Sequence, residues 1–98
     1  MTRVPDDEEI VAAIRAGLVR LLPPEDLGQV DLAALSRQTP MLSLPVDSAV
    51  LMALMTELED TFAVFIEEES AFSFTAVGDV ADYIRRRLTE KARRLSQP

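Results

Sequence analysis

The chain has 98 residues, 10 Lys+Arg against 17 Asp+Glu, a net charge of −7, and neither cysteine nor histidine. That length suits one compact domain, and an apolar fraction of 48% can fill its core. Disulfides, thiolate or imidazole metal sites, a thiol nucleophile and the usual general base are excluded, and an acidic chain lacks the basic face that phosphate backbones require.

We therefore expect a protein with no metal site, no nucleic-acid partner and no enzymatic activity of its own. The longest strictly apolar run, Ala49 to Met55, falls far short of the ~20 residues that span a bilayer. The acidic start is unlike a secretory leader. A soluble, cytoplasmic protein without a membrane span is the expectation.

The spacing predicts a first helix over residues 6–22, with Ile10, Ala13, Ile14, Gly17, Leu18 and Leu21 on one face. Asp6, Asp7, Glu8 and Glu9 suit its positive end, and Pro23-Pro24 cannot continue its hydrogen-bond ladder. The stretch from Pro23 to Asp47 is too long to be a structureless loop. One short helix is expected in it at Asp31–Leu35, capped by Asp31 or a neighbour and pinned by Leu32 and Leu35.

A second long helix is expected from Ser48 to Phe62, with Leu51, Leu54, Met55, Leu58 and Phe62 as its core stripe. Residues 67–72 suggest a short helical segment, with Phe65, Ile66, Phe72 and Phe74 anchoring it to the core. The third long helix should follow Thr75 as its cap, bury Val77, Val80, Ala81, Ile84 and Leu88, and reach about Leu95. No segment alternates with period two, so the expected class is all-α, with three long helices and a short one between the last two. A single domain over 1–98 is expected, its core at about 6–88 and residues 89–98 forming a basic tail or helix extension.

Charge is divided along the chain. Residues 1–84 hold 4 basic and 16 acidic side chains, whereas residues 85–98 hold 6 basic and 1 acidic. Arg85, Arg86, Arg87, Lys91, Arg93 and Arg94 lie towards a helix C-terminus, which the dipole favours. Glu67, Glu68 and Glu69 are consecutive, so on a helix they point about 100° apart and converge on no metal or substrate atom. Tyr83, beside the apolar Ile84, should pack its ring and leave its hydroxyl in water. In Leu44-Pro45-Val46-Asp47-Ser48-Ala49, a serine opens an apolar helix after a proline-stiffened turn. Taken alone, Asp47 or Ser48 is an N-cap.

Leu44, Asp47, Ser48, Leu54, Leu58, Glu59, Phe62, Ile66, Glu69, Thr75, Val77, Asp82, Tyr83 and Ile84 share a register with a known family. From Asp47 through Ile84 the chain resembles the second half of an acyl carrier protein, over 38 positions without a gap. The resemblance implies a four-helix bundle and a phosphoprotein whose Ser48 carries 4′-phosphopantetheine, attached covalently from coenzyme A. Asp47 would flank the attachment site and serve recognition by the phosphopantetheinyl transferase. The arm's thiol would hold an acyl or aminoacyl group as a thioester, charged by a loading ligase and passed to a downstream synthase or transferase. Fatty-acid, polyketide and nonribosomal biosynthesis all use such carriers, and a monomer is the expected state.

Several positions depart from the family pattern. Ala49 replaces the usual leucine after the serine, and Pro45 the usual glycine. Val50, Leu51, Met52 and Ala53 stand where fatty-acid carriers place acidic residues. An exposed apolar strip of Ala49, Val50, Met52, Ala53 and Thr56 is therefore expected to dock a dedicated partner, marking a specialised carrier. Met52, Leu54, Met55 and Leu58 offer adjustable packing for an acyl chain. Before Leu44 the resemblance rests mainly on helix one, because the stretch from Pro23 to Pro45 exceeds the family's usual first loop. The alternative is a non-carrier helical interaction module with Ser48 only a helix N-cap.

Overall fold

The computed structural model describes residues 4–95. Its helices are α1 (Asp7–Leu21), α2 (Pro24–Leu27), α3 (Ser48–Phe62), α4 (Glu68–Ser73) and α5 (Val77–Leu95), with 3₁₀ turns at Leu32–Ala34 and Met41–Ser43. The described residues contain no named strand. An isolated antiparallel bridge pairs Pro40 with Ala76. The fold is the all-α bundle anticipated, with three long helices and the short α4 between the last two.

The helical period becomes a core because each long helix turns its stripe inward. Ile10, Ile14 and Leu18 from α1, Leu54, Met55 and Leu58 from α3, and Val77, Val80, Ala81 and Ile84 from α5 are each 1% exposed or less. Burying a side chain of this size is worth about 1.5–3 kcal/mol against leaving it in water. Gly17 lets α1 and α3 close together: a β-carbon there would stand 2.5 Å from Leu54 Cδ1. Val11, off the expected stripe, is also buried, and it lines a cleft with Leu35 of the long connection.

Helix boundaries follow their local chemistry. Asp6 caps α1 by accepting a hydrogen bond from Glu9 N at 2.9 Å. The helix stops one residue before the proline pair, and Pro24 then opens α2 as its first residue. This α2 turn was not expected. Proline is well suited to a first helical position, where its missing N–H has no intrahelical role, and Asp26 N and Leu27 N both donate to Pro23 O at 3.0 Å. Asp31 caps the Leu32–Ala34 turn, accepting from Ala34 N at 3.3 Å.

Three expectations need correcting. Phe65 and Phe72 do not anchor the core; they are 62% and 53% exposed, because Ile66 and Ala71 occupy the inward positions of this short segment. Phe74 is partly buried and meets the Tyr83 ring edge-on at 5.6 Å. Thr75 is not the cap of α5. The helix begins at Val77, and Asp79 reaches back to accept hydrogen bonds from Thr75 N at 2.9 Å and Ala76 N at 3.0 Å. Tyr83 is buried more fully than expected, with the Arg86 and Arg87 guanidinium groups 5.5 and 5.9 Å from its ring centre.

The long connection is tied to the bundle by arginines. Arg15 donates to the Leu32 and Leu35 carbonyls at 2.8 and 3.4 Å. Arg37 pairs with both Asp7 of α1 and Asp82 of α5. The two free N–H groups that open α5 are satisfied by the same stretch, Val77 N donating to Thr39 O at 2.9 Å and Gly78 N to Arg37 O at 2.8 Å.

Candidate functional site

Ser48 stands where this braced connection enters α3. From the bridge at Pro40, Met41 N donates to Thr75 O at 2.9 Å, and Ser43 N and Leu44 N close the Met41–Ser43 turn on Pro40 O and Met41 O. Leu44 is buried. Val46 N then donates to Leu44 O at 2.8 Å, a three-residue turn around Pro45 that reverses the chain just before the helix. Backbone hydrogen bonds and the buried Leu44 therefore hold most of the path from the bridge to α3, while Leu42 is fully exposed.

Asp47, not Ser48, is the cap of α3. Its carboxylate accepts from Val50 N at 2.8 Å and its carbonyl from Leu51 N at 2.9 Å, with extended backbone at φ −84° and ψ 179°. The N-cap role, open between the two residues in the sequence, falls to Asp47. Ser48 is the first helical residue and is exposed. Its hydroxyl makes no hydrogen bond among the described residues. Ser43, Thr56, Ser73 and Thr89 instead donate to the carbonyls of Pro40, Met52, Ser70 and Arg85, whereas the hydroxyls of Thr61, Ser70 and Thr75 are, like that of Ser48, without a hydrogen bond among the described residues.

The first turn of α3 carries no acidic side chain. Ala49 and Thr56 are exposed, whereas Val50, Met52 and Ala53 are partly buried; Val50 and Met52 also pack against the core. Leu54, Met55 and Leu58 are sealed inside the bundle. The exposed surface beside Ser48 is thus apolar but narrower than five free side chains would give.

At the far end of α3 the chain turns on Glu59. Its carbonyl accepts from Val64 N at 3.2 Å and its carboxylate from Ile66 N at 2.7 Å, while Ala63 adopts the left-handed conformation at φ 55°. Neither this role nor that of Arg37 was visible beforehand. Both side chains act across turns whose geometry no local period reveals. Asp79 is the carboxylate most clearly affected by its surroundings: the N–H groups of Ala76 and then Thr75 hold its pKa below the ordinary 3.8.

The Asp-Ser turn and the helices behind it coincide with a recognised domain. A family model described as phosphopantetheine attachment site matches residues 18–84, from within α1 to the middle of α5. The match takes in the long connection as well, where sequence similarity alone was weak, and the fold there supplies the buried Leu35 and Leu44. No curated protein gives a significant match. With more than half its length in that match and a helical bundle around the serine, the chain belongs to the phosphopantetheine-attachment family to which acyl carrier proteins belong.

Proposed function

We propose that this protein is an acyl or aminoacyl carrier, with 4′-phosphopantetheine held as a phosphodiester on Ser48 Oγ. The observation that carries the reading is the hydroxyl itself, exposed, unengaged and set at the start of a 15-residue helix. The group suits this place. Asp47 satisfies Val50 N and leaves the Ser48 and Ala49 N–H groups, with the positive end of the helix dipole, to favour a phosphodiester.

When bound, the arm supplies a terminal thiol on which an acyl or aminoacyl group is carried as a thioester. The chain's own residues do the presenting. The Pro45 turn and the buried Leu44 hold the Asp47-Ser48 step in one position, and the Asp47 cap fixes the first turn of α3. With no histidine in the chain and its flanking carboxylate engaged by a backbone N–H, Ser48 has no base beside it. Its deprotonation falls to the transferase, and the chain performs no catalysis.

The apolar surface around Ala49, Val50, Met52, Ala53 and Thr56 supports a dedicated partner in place of the basic surfaces that read acidic carriers, hence a specialised pathway. We place the protein in the cytoplasm as a monomer, served by a phosphopantetheinyl transferase, a loading ligase and a downstream synthase or transferase. Among the described residues, no helix is long and apolar enough to cross a membrane.

Incubation with coenzyme A and a broad-specificity phosphopantetheinyl transferase, followed by intact-protein mass spectrometry, tests the reading. We expect one phosphopantetheine increment on the wild type and none on Ser48→Ala. An unmodified wild type, or an increment that survives Ser48→Ala, overturns it.

A further inference from the structure

The connection that delivers Ser48 to α3 is poorly packed for its length. Of residues 23–47, only Leu35 and Leu44 are buried. Between α1 and residues 35–37 lies a cleft of about 530 Å³, lined by Val11, Ala12 and Arg15 on one side and Leu35, Ser36 and Arg37 on the other. Apolar contacts therefore fix this stretch at two points, and polar contacts must hold the rest. Among the described residues, Arg37 is the only side chain of the connection that forms an ion pair with the bundle. Its Nη1 donates to Asp7 of α1, and its two terminal nitrogens take both carboxylate oxygens of Asp82 of α5, at 3.3 and 3.0 Å.

The backbone on either side of this clamp leads to the serine. Arg37 O accepts from Gly78 N and Thr39 O from Val77 N; Met41 N donates to Thr75 O, Leu44 N to Met41 O and Val46 N to Leu44 O, one residue before the Asp47 cap. We propose that Arg37 is a positioning residue for Ser48: by pinning the connection to α1 and α5, it fixes the turn that offers the Ser48 hydroxyl to the transferase. The inference rests on the carrier reading, and it gives Arg37 no contact with coenzyme A or with the reacting atoms. Without the clamp the bundle stays folded but the connection shifts against it, and the transferase has to order that turn as it docks. Ordering a segment on docking weakens binding, so it raises KM, whereas kcat, set after the turn is seated, is unchanged.

Steady-state transfer from coenzyme A by a broad-specificity phosphopantetheinyl transferase, with the full chain as the varied substrate, tests this. We expect Arg37→Ala to raise the KM for the carrier about three- to fivefold with kcat altered less than about twofold, the scale of a clamp between half-exposed charges. Asp7→Ala/Asp82→Ala should raise KM equally, and adding Arg37→Ala to that pair should raise it no further, because all three changes break one clamp. Arg37→Lys, which keeps the charge and loses the fork, should recover part of the loss. Arg20→Ala breaks an ion pair with Glu57 between α1 and α3 and should leave KM at the wild-type value. In hydrogen exchange, the Met41 and Leu44 amides of Arg37→Ala should open faster than in the wild type while those of Leu54 and Leu58 keep their protection. An unmoved KM, a fall in kcat instead, additive losses in the combined variant, or unchanged exchange at Met41 and Leu44 would overturn this inference alone. A wild type that is never modified would overturn the carrier reading together with it.

Discussion

Replacing Gly78 with alanine should loosen the bundle where the long connection meets α5. A β-carbon at Gly78 would stand 2.9 Å from the Arg37 carbonyl oxygen and 3.1 Å from both Cβ and Cζ of Arg37. Ordinary contact begins near 3.4 Å. The oxygen is backbone, accepts the Gly78 N–H at 2.8 Å, and belongs to a residue clamped between Asp7 and Asp82. Relief therefore requires the connection itself to withdraw by several tenths of an ångström.

Overpacking of this kind costs about 1–3 kcal/mol, and weakening the hydrogen bond adds about 1 kcal/mol. The preference of alanine over glycine in a helix returns about 1 kcal/mol. The expected net loss is about 1–3 kcal/mol, a Tm lowered by about 4–24 °C for a domain of this size. Gly28→Ala is the internal control. Gly28 has φ −64°, and its β-carbon would meet only ordinary contacts at 3.6 and 3.7 Å, so that variant should be neutral or gain up to about 1 kcal/mol. Thermal unfolding followed by circular dichroism compares the two. A Gly78→Ala protein as stable as the wild type would show that the connection does not press on α5 as described.

Other substitutions probe the remaining turns. Asp47→Ala should cost about 1 kcal/mol by removing the cap on Val50 N, whereas Asp47→Asn should keep most of it; equal losses in urea unfolding would remove the carboxylate from that role. Ala63→Gly relieves the left-handed backbone at φ 55° and should stabilise by about 0.5–1 kcal/mol, unless chemical denaturation shows no gain. Because the folded pKa of Asp79 lies below its ordinary value, its contribution is fully present above about pH 4 and disappears as the pH falls through the lower folded value. Asp79→Asn should therefore lose less stability than the wild type on acidification through that range, and superimposable stability-versus-pH curves would contradict this.

The long helices were legible because burial imposes a period on the sequence: the stripes of α1, α3 and α5 had to face one core. Prolines were ambiguous signals. Pro23-Pro24 ended α1 as anticipated, yet Pro24 also began α2, since the same missing N–H that breaks a helix interior is harmless at its first position. Aromatic residues misled at Phe65 and Phe72, where hydrophobicity suggested anchoring and the short α4 offered the inward places to Ile66 and Ala71.

The site was legible as a type of residue in a type of setting, but not in its wiring. Asp47 and Ser48 both suit a cap, and only the turn around Pro45 decides that the aspartate takes the task and frees the serine. The clamps at Arg37, Glu59 and Gly78 join residues 7 to 45 positions apart or meet at a close backbone approach, and neither leaves a mark in local composition.

The most direct measurement is peptide mapping by tandem mass spectrometry of the full chain after transferase treatment, scoring every serine and threonine for the adduct. The account requires the phosphopantetheine to lie on Ser48 alone, with Ser43, Thr56, Ser73 and Thr89, whose hydroxyls donate to backbone carbonyls, left unmodified. An adduct on any of those, or a chain recovered without one, would contradict it.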